Sequence, residues 1–312
     1  MISYIYNMIA QTQKNIVFIG LGRFGIKRLN SLKNIPNVKI LGFYDPNPNI
    51  STDLNRFDTI QEIIECTDAT HVIISTPNNT HWSYIKRFSD SKLKVICEKP
   101  IVASRSELEE LKQATFSNFI MCSNLSYFST SIFLKNFISL YRNEVESLKL
   151  SIGVHQDLTS NDWRFDRELS GGGVLIDNGT HLMYLLDEIT PNFTITKAQI
   201  KESANIDIEA LLQAKNDHIS ISLFATWEKN LDDYVFTEIK TKNNFYKLFA
   251  NKDLVQKFDL TGKLIKEIRL ESKNTSLLIE SHNVLTKSWS QKMHKEKAIR
   301  VMEYVFQAYE LH

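Results

Sequence analysis

The chain has 312 residues, 43% of them hydrophobic, and its 37 Lys+Arg and 36 Asp+Glu leave a formal net charge of +1. This length exceeds the size at which a single hydrophobic core stops growing, so we expect two domains. The balanced charge excludes the basic footprint of a nucleic-acid-binding protein. No run approaches the ~18 uninterrupted apolar residues that a membrane helix needs, so we expect no membrane association.

The N-terminal segment and the cysteines indicate the cellular compartment of the protein. Residues 1–14 lack a basic region ahead of their interrupted apolar run, so we expect no signal peptide. Cys66, Cys97 and Cys122 have no metal-ligand spacing, and the last two end strand-like runs where thiols act as small hydrophobes. We therefore expect a reducing compartment and a cytoplasmic protein.

Up to residue 122 the chain alternates short apolar runs with amphipathic ones. The intervening patterns are helical, with Ser104 and Glu107 forming a capping box for the last of them. This order predicts a parallel sheet wrapped by helices, a Rossmann domain over residues 1–122. The predicted strands, apolar on both faces, are Ile16–Ile19, Val38–Tyr44, His71–Ser75, Leu93–Cys97 and Asn118–Cys122.

From residue 123 to residue 312 the pattern changes to longer alternating runs, which predict a largely antiparallel sheet with one solvated face. Helical stretches at Val174–Ile189 and Lys295–Leu311 would cover the other face. The predicted fold class is therefore α/β, a Rossmann domain followed by an α+β domain on an open sheet. The alternating runs are Val145–Val154, Phe193–Lys201, His218–Trp227, Tyr234–Lys242 and Asn244–Phe249.

A glycine-rich turn, Gly20-Leu21-Gly22-Arg23-Phe24-Gly25, follows the first predicted strand and opens the first helix. Such glycines permit a tight turn and close approach to a pyrophosphate, while the helix N-terminus supplies amide donors. Asp45 ends the second strand, where a carboxylate can bind the ribose hydroxyls of NAD, and its neighbours offer no cation for the 2′-phosphate of NADP. An ordinary strand-to-helix turn and an Asp-Pro-Asn turn are the alternatives.

Two further segments carry ionisable side chains. Glu98-Lys99-Pro100 follows the fourth strand, where a lysine can stabilise developing alkoxide character, although a surface ion pair would also explain it. After three glycines, Gly171 to Gly173, Asp177 and His181 lie four residues apart and would share one helix face. His181 could then exchange a proton with a hydroxyl and Asp177 could orient it, the alternative being an ordinary early-helix Asp and a buried His.

Taken in order, these segments resemble the signatures of the glucose-fructose oxidoreductase, inositol dehydrogenase and rhizopine-catabolism (Gfo/Idh/MocA) family. The resemblance covers residues 16 to about 190 and also includes Ser75 to His81 and Trp163-Arg164. It implies a second domain whose open sheet often forms the oligomer interface, and so a homodimer or homotetramer.

The resemblance also implies site residues. Lys99 would be the catalytic-site lysine, and Asp177 and His181 the substrate-binding and acid/base pair. Outside the resemblance, His155 is a further substrate-binding candidate because it precedes the glycine run, although it and Asp157 could be plain polar residues at a strand end. The residues expected to bind the cofactor, NAD rather than NADP, are Gly20, Gly22, Arg23, Phe24, Gly25, Asp45, Thr76, Pro77, Asn78, His81, Glu98, Lys99, Trp163 and Arg164.

Two features depart from the family pattern. The stretch between Asp45 and Asp68 is short, which predicts a reduced second crossover helix. Residues 200–312 carry no signature.

The predicted function is an NAD(P)-dependent oxidoreductase that moves hydride between nicotinamide and a secondary alcohol or ketone of a sugar, nucleotide sugar or cyclitol. Two alternatives stay open. One is a metal-dependent sugar enzyme using His155, Asp157, Asp177 and His181, and the other is a non-catalytic NAD(P)-binding sensor. No bound metal is expected under the main hypothesis.

Overall fold

The computed structural model describes residues 13–33, 35–231, 233–271, 276–286 and 291–312. Packing divides the chain into two compact units, residues up to 122 with 275–299, and residues 123–274 with 300–312. The division into domains 1–122 and 123–312 stays a prediction, and the packing of 275–299 with the first unit was not expected from the sequence. The expectation that there is no signal peptide rests on residues 1–14. Most of these residues lie outside the described ranges.

The first unit contains a parallel sheet of five strands in the order β2-β1-β3-β4-β5. Its strands are β1 (Lys14–Ile19), β2 (Val38–Tyr44), β3 (His71–Ile74), β4 (Lys94–Cys97) and β5 (Phe119–Met121). Its first four helices are α1 (Arg23–Leu32), α2 (Ile60–Glu65), α3 (Asn78–Arg87) and α4 (Arg105–Gln113). The predicted parallel sheet is confirmed, and α2 is short, as predicted from its connection.

The central strands of this sheet are buried on both faces, since consecutive residues along them are buried. Residues from Ile16 to Ile19 and from Val72 to Ile74 are at most 1% exposed, as expected for parallel strands between helix layers. Cys97 and Cys122 are buried, and their burial raises the pKa of both thiols. The capping box is confirmed, since Ser104 Oγ accepts from Glu107 N at 3.2 Å. On α1, Leu29 and Leu32 are buried, whereas Ile26 is 48% exposed.

The strand order places the functional edge of this unit. From β1 the chain moves to β2 on one side and then to β3 on the other, so the order reverses between β1 and β3. In open parallel sheets, ligands bind outside the carboxyl ends of strands at such a reversal. The loops that follow β1 and β3 therefore meet at the expected ligand-binding edge.

The second unit contains an eight-stranded sheet in the order β13-β12-β11-β10-β6-β9-β8-β7. All neighbouring strands are antiparallel except β6 and β9, which confirms the largely antiparallel sheet. The predictions missed β8, β12 and β13. The strands are β6 (Val145–Gly153), β7 (Thr194–Ser203), β8 (Ile206–Asn216), β9 (Ile219–Thr226), β10 (Val235–Thr241), β11 (Phe245–Phe249), β12 (Leu254–Phe258) and β13 (Leu264–Arg269).

The remaining helices are α5 (Ser129–Tyr141), α6 (Arg167–Ser170), α7 (Thr180–Ile189), α8 (Ser276–Thr286) and α9 (Gln291–Glu310). In the second unit, Tyr304 of α9 stacks on Phe193 at the start of β7, with ring centroids 3.8 Å apart. Burial alternates along β8 and β9, as one-sided packing requires. Among the helices that the structure describes, none has both the length and the apolar character needed to cross a membrane.

Candidate cofactor site and candidate catalytic residues

The glycine turn after β1 closes against the loop after β3. Gly20 has φ +87°, and a Cβ there would lie 2.7 Å from the Ser75 carbonyl oxygen. A Cβ on Gly25 would lie 2.5 Å from the Gly20 carbonyl oxygen. Ser75 Oγ donates to that same carbonyl at 2.9 Å. Any larger residue at Gly20 or Gly25 would push the two loops apart.

The middle glycine faces open space at the start of α1. A Cβ on Gly22 would meet no heavy atom of the described residues within 4 Å, and Gly22 is the N-cap of α1 without a side-chain cap. Arg23 and Phe24 form the first helical turn, which carries no acidic side chain. A helix start with room beside it, amide donors and a partial positive charge fits the pyrophosphate of a dinucleotide.

Asp45 lies beside this turn. Its Oδ2 accepts from Leu21 N at 2.8 Å and its Oδ1 accepts from Asn47 N at 2.9 Å. Although the sequence neighbours of Asp45 carry no cation, Arg56 comes close in space, and its Nη2 donates to the carbonyl oxygens of Asp45 and Asn47 at 2.5 and 3.1 Å. Sequence reasoning missed Arg56 because it inspected only the residues adjacent to Asp45.

The loop after β3 is braced by its own hydroxyls. Thr76 Oγ1 and Thr80 Oγ1 lie 2.6 Å apart, and Thr80 Oγ1 donates to the Pro77 carbonyl at 2.7 Å. Pro77 is the N-cap of α3, which begins at Asn78, a residue only 5% exposed. Thr76, Pro77 and Asn78 therefore reach the same sheet edge as the glycine turn.

His81, also expected beside the nicotinamide, is a buried residue that joins two loops. It is 1% exposed, its Nδ1 lies 2.7 Å from the Pro100 carbonyl oxygen, and its Nε2 lies 2.8 Å from the Thr76 carbonyl oxygen. Burial lowers the pKa of His81, against the opposing effect of the two carbonyls. Contact of His81 with a cofactor stays a prediction.

Glu98 and Lys99 follow β4, and the Lys99–Pro100 peptide bond is cis. Glu98 is bound by a residue that sequence reasoning did not identify. Arg28 Nε and Nη2 lie 2.9 and 2.5 Å from Glu98 Oε1, and Nη2 lies 2.8 Å from Glu280 Oε2. The Arg28 side chain is 1% exposed and the Glu98 side chain 12%, so Glu98 takes part in a largely buried ionic contact.

Asp177 and His181 lie at the start of a long helical segment in the second unit, but not on one regular α-helix as predicted. Leu175–Gly179, which contains Asp177, is a π-helical turn, and α7 begins only at Thr180. Such turns inside helices are frequent at functional sites. His181 Nδ1 lies 2.9 Å from Ser123 Oγ, which orients the ring.

A buried carboxylate fixes the start of the π-helical turn. Asp207 is fully buried and accepts from Gly173 N at 2.6 Å, Leu175 N at 2.7 Å and Tyr309 Oη at 2.9 Å. A Cβ on Gly173 would lie 1.9 Å from the Asp207 carbonyl oxygen, so only glycine fits there. Asp207 was missed because it sits in an apolar run that carries no motif.

Trp163 and Arg164, expected to bind cofactor, lie in a 3₁₀ turn of the second unit. Arg164 binds Asp162 through Nε at 3.0 Å and Nη2 at 2.7 Å. That contact raises the pKa of Arg164, and the Asp177 carboxylate raises it further. Burial and then Asp177 raise the pKa of Tyr234 to about 12, so Tyr234, which sequence reasoning did not select, shares the electrostatic surroundings of Asp177.

His155 and Asp157 have local partners. His155 Nδ1 lies 3.0 Å from the Glu228 carbonyl oxygen, and Asp157 Oδ1 accepts from Thr159 N and Oγ1 at 3.0 and 2.6 Å. The metal-enzyme alternative requires these two residues to converge with Asp177 and His181. Within the described ranges, no three His, Cys, Asp or Glu side chains are grouped as metal ligands.

Curated relatives with sugar substrates match part of the chain. Glucose-6-phosphate 3-dehydrogenase of Bacillus subtilis (strain 168) is 26% identical over 245 residues, covering 73% of this chain and 67% of that protein. D-xylose 1-dehydrogenase (NADP(+)) 2 of Haloferax volcanii is 29% identical over 114 residues, covering 33% of each chain. The second match spans only a third of that relative.

A solved structure matches nearly the whole fold. Levoglucosan dehydrogenase in complex with NADH and L-sorbose superposes with a TM-score of 0.81 at 16% identity, covering 96% of this chain and 98% of that one. At this identity the likeness establishes the fold of both units and nothing about ligands.

Residues 14–123 match the model of the GFO_IDH_MocA family, described as an oxidoreductase family with an NAD-binding Rossmann fold. The matched range begins at β1 and ends just after β5, so it contains the glycine turn, Asp45 and Lys99. Over this N-terminal range the chain is similar to the NAD-binding Rossmann fold of the Gfo/Idh/MocA oxidoreductase family.

Proposed function

We propose that the protein is an NAD-dependent dehydrogenase or reductase that interconverts a secondary alcohol and a ketone on a sugar, nucleotide sugar or cyclitol. The proposal rests on the packing of the glycine turn. Gly20 and Gly25 are packed against the loop after β3, while Gly22 opens onto free space at the start of α1. That arrangement suits a dinucleotide pyrophosphate, and the dehydrogenase relatives named above suggest the substrate class.

The proposal gives NAD a defined set of holding residues. Gly22, Arg23 and Phe24 at the start of α1 would bind the pyrophosphate, and Asp45 would accept hydrogen bonds from the adenosine ribose. Thr76, Pro77 and Asn78 would flank the nicotinamide. The bound cofactor supplies a hydride acceptor or donor. Asp45 favours NAD over NADP because a carboxylate repels a 2′-phosphate.

Three side chains of this chain are assigned to the substrate. The Lys99 ammonium would donate to the reacting oxygen and stabilise its developing negative charge. The His181 imidazole would take the hydroxyl proton in the direction of oxidation and return it in reduction. Asp177 would hold a neighbouring hydroxyl. Ser123, at 2.9 Å from His181 Nδ1, is placed to fix the ring orientation.

The proposal is tested by assaying the purified protein with NAD⁺ and NADP⁺ against sugars, sugar phosphates, nucleotide sugars and inositols, following absorbance of the reduced nicotinamide. Turnover with NAD⁺ and at least one member of this panel is expected. A protein that binds NADH but reduces or oxidises nothing in the panel would favour the sensor alternative. Activity that requires a tightly held metal would favour the metal-enzyme alternative.

A further inference from the structure

The residue before Lys99 is held by a buried guanidinium. Arg28 of α1 contacts Glu98 Oε1 through two nitrogens, at 2.9 and 2.5 Å. Its Nη1 donates to Ser281 Oγ at 3.1 Å and its Nη2 lies 2.8 Å from Glu280 Oε2. A guanidinium fixed by two carboxylates and a hydroxyl has little freedom, so the Glu98 carboxylate is fixed with it.

The residue after Lys99 is held by a buried imidazole. His81 Nδ1 lies 2.7 Å from the Pro100 carbonyl oxygen, and its Nε2 lies 2.8 Å from that of Thr76. The ring therefore links the loop after β4 to the loop after β3. A side chain that is 1% exposed cannot move aside without opening a cavity, so this link is stiff.

In the sequence, Lys99 stands between the residues that make these two contacts. The main chain on its N-terminal side is further tied to the sheet, because Glu98 N donates to the Ile74 carbonyl at 3.0 Å. With both neighbours fixed, the main chain at Lys99 is held on each side. A backbone held in this way reduces the conformational entropy lost when the ammonium engages a substrate oxygen.

We propose that Arg28 and His81 are positioning residues for Lys99, Arg28 acting through the Glu98 side chain and His81 through the Pro100 carbonyl. The inference rests on the function proposed above, in which Lys99 contacts the reacting oxygen. It assigns neither residue a contact with substrate.

The test compares His81→Gln and Arg28→Lys with a matched control, His71→Gln. His71 is a second buried histidine of the same unit, 2% exposed, at the opposite end of β3. Glutamine can donate to one of the two carbonyls at His81, and lysine keeps the charge of Arg28 but loses the two-nitrogen contact with Glu98. Far-ultraviolet circular dichroism identifies which variants are folded.

The first readout separates kcat from cofactor binding. Since misplacing a catalytic group by an ångström can cost about 10²-fold in rate, His81→Gln and Arg28→Lys should lower kcat by roughly that factor. The dissociation constant for NADH, measured by fluorescence, should stay close to that of the wild type in Arg28→Lys, because Arg28 is not among the residues assigned to the cofactor. His71→Gln should leave both quantities unchanged.

The second readout needs no substrate and so separates failure of this inference from failure of the proposed function. The acylation rate of Lys99 by an anhydride, measured by peptide mass spectrometry on the cofactor-free protein, is compared with that of exposed Lys92. Both test variants should change the Lys99 rate several-fold while Lys92 and the control stay constant. Folded His81→Gln and Arg28→Lys proteins with wild-type Lys99 reactivity would overturn the inference, whether or not the enzyme turns over a sugar.

Discussion

At the scale of single residues, Asp45 is the side chain on which cofactor choice depends. Its two oxygens already accept from Leu21 N and Asn47 N, so the carboxylate is fixed before any ligand arrives. Hydrogen bonds to a charged group contribute about 1.5–3 kcal/mol, so Asp45→Asn should raise the NADH dissociation constant by about tenfold or more. The NADPH dissociation constant should rise less, because the repulsion of the 2′-phosphate is removed.

Fluorescence titrations with NADH and NADPH measure this change. Asp53→Asn is the control, since Asp53 is an exposed acid in the same connection between β2 and α2. An Asp45→Asn protein that discriminated between the two cofactors as well as the wild type does would show that another group, such as Arg56, sets the preference.

The catalytic assignments are tested by removing one group at a time. Lys99→Ala and His181→Asn should each lower kcat by about 10²- to 10⁴-fold, which is the usual contribution of general acid/base help. NADH binding should be retained, because neither residue is assigned to the pyrophosphate or ribose. Lys92→Ala serves as the control for loss of a lysine near β4. Wild-type kcat in either variant would disprove the role given to that residue.

Which of these residues the sequence could reveal depends on how local their signal is. The glycine turn, Asp45 and Lys99 follow predicted strands directly, so their places could be deduced from strand order alone. The roles of Arg28 and Asp207 could not be deduced, because each of them contacts a residue that is far away in the sequence. Ser281, which Arg28 contacts, is 253 positions away, and Gly173, which Asp207 caps, is 34 positions away.

At the scale of elements, the π-helical turn Leu175–Gly179 is the main departure from the sequence-based expectation. The apolar pattern of Val174–Ile189 is compatible with one regular helix, and nothing in it marks a change of hydrogen-bond spacing. The cause lies outside the segment, where the Asp207 carboxylate takes the first amides of the turn and its backbone crowds Gly173. A residue of β8 therefore fixes the start of the turn that carries Asp177.

Asp207→Ala should destabilise the protein strongly, because two buried amides and the Tyr309 hydroxyl lose their acceptor. Each unsatisfied buried group costs about 1–3 kcal/mol, so we expect the free energy of unfolding to fall by about 3 kcal/mol or more. Tyr309→Phe removes only one donor from the same carboxylate and should cost about 1 kcal/mol. Urea denaturation of both variants measures the difference, and an Asp207→Ala protein as stable as Tyr309→Phe would contradict this account.

At the scale of the whole molecule, a segment near the C-terminal end of the sequence completes the first unit. Residues 275–299 pack with the N-terminal part, and in α8 Val284 and Leu285 join the core that contains Phe18, Leu29 and Ile73. Sequence reasoning assigned everything after residue 122 to the second domain, because an apolar helix fits either unit equally well. The helix belongs with the first unit because Glu280 of α8 supplies the second carboxylate that contacts the buried guanidinium of Arg28.

The stability of the molecule should fall in mild acid because of a histidine that stays neutral when buried. Burial, with smaller contributions from Lys94 and Lys14, lowers the pKa of His71 to about 3. The unfolded chain binds a proton at this residue near pH 6.5 and the folded protein does not, so protons favour unfolding over this interval. The folded protein therefore loses no stability through His71 above pH 6.5, and its free energy of unfolding falls progressively as the pH decreases toward 3.

Between these limits His71 should lower the free energy of unfolding by up to about 1.4 kcal/mol per pH unit. His71→Gln removes the titrating group, so its unfolding free energy should fall less steeply with decreasing pH than that of the wild type. Urea denaturation at several pH values between 7 and 4.5 measures both slopes. His81, whose pKa is also lowered by burial, stays in both proteins and contributes equally, so the difference between the slopes isolates His71. Equal slopes would mean that His71 is protonated in the folded protein, and that the burial of this ring at the amino end of β3 is relieved by local opening.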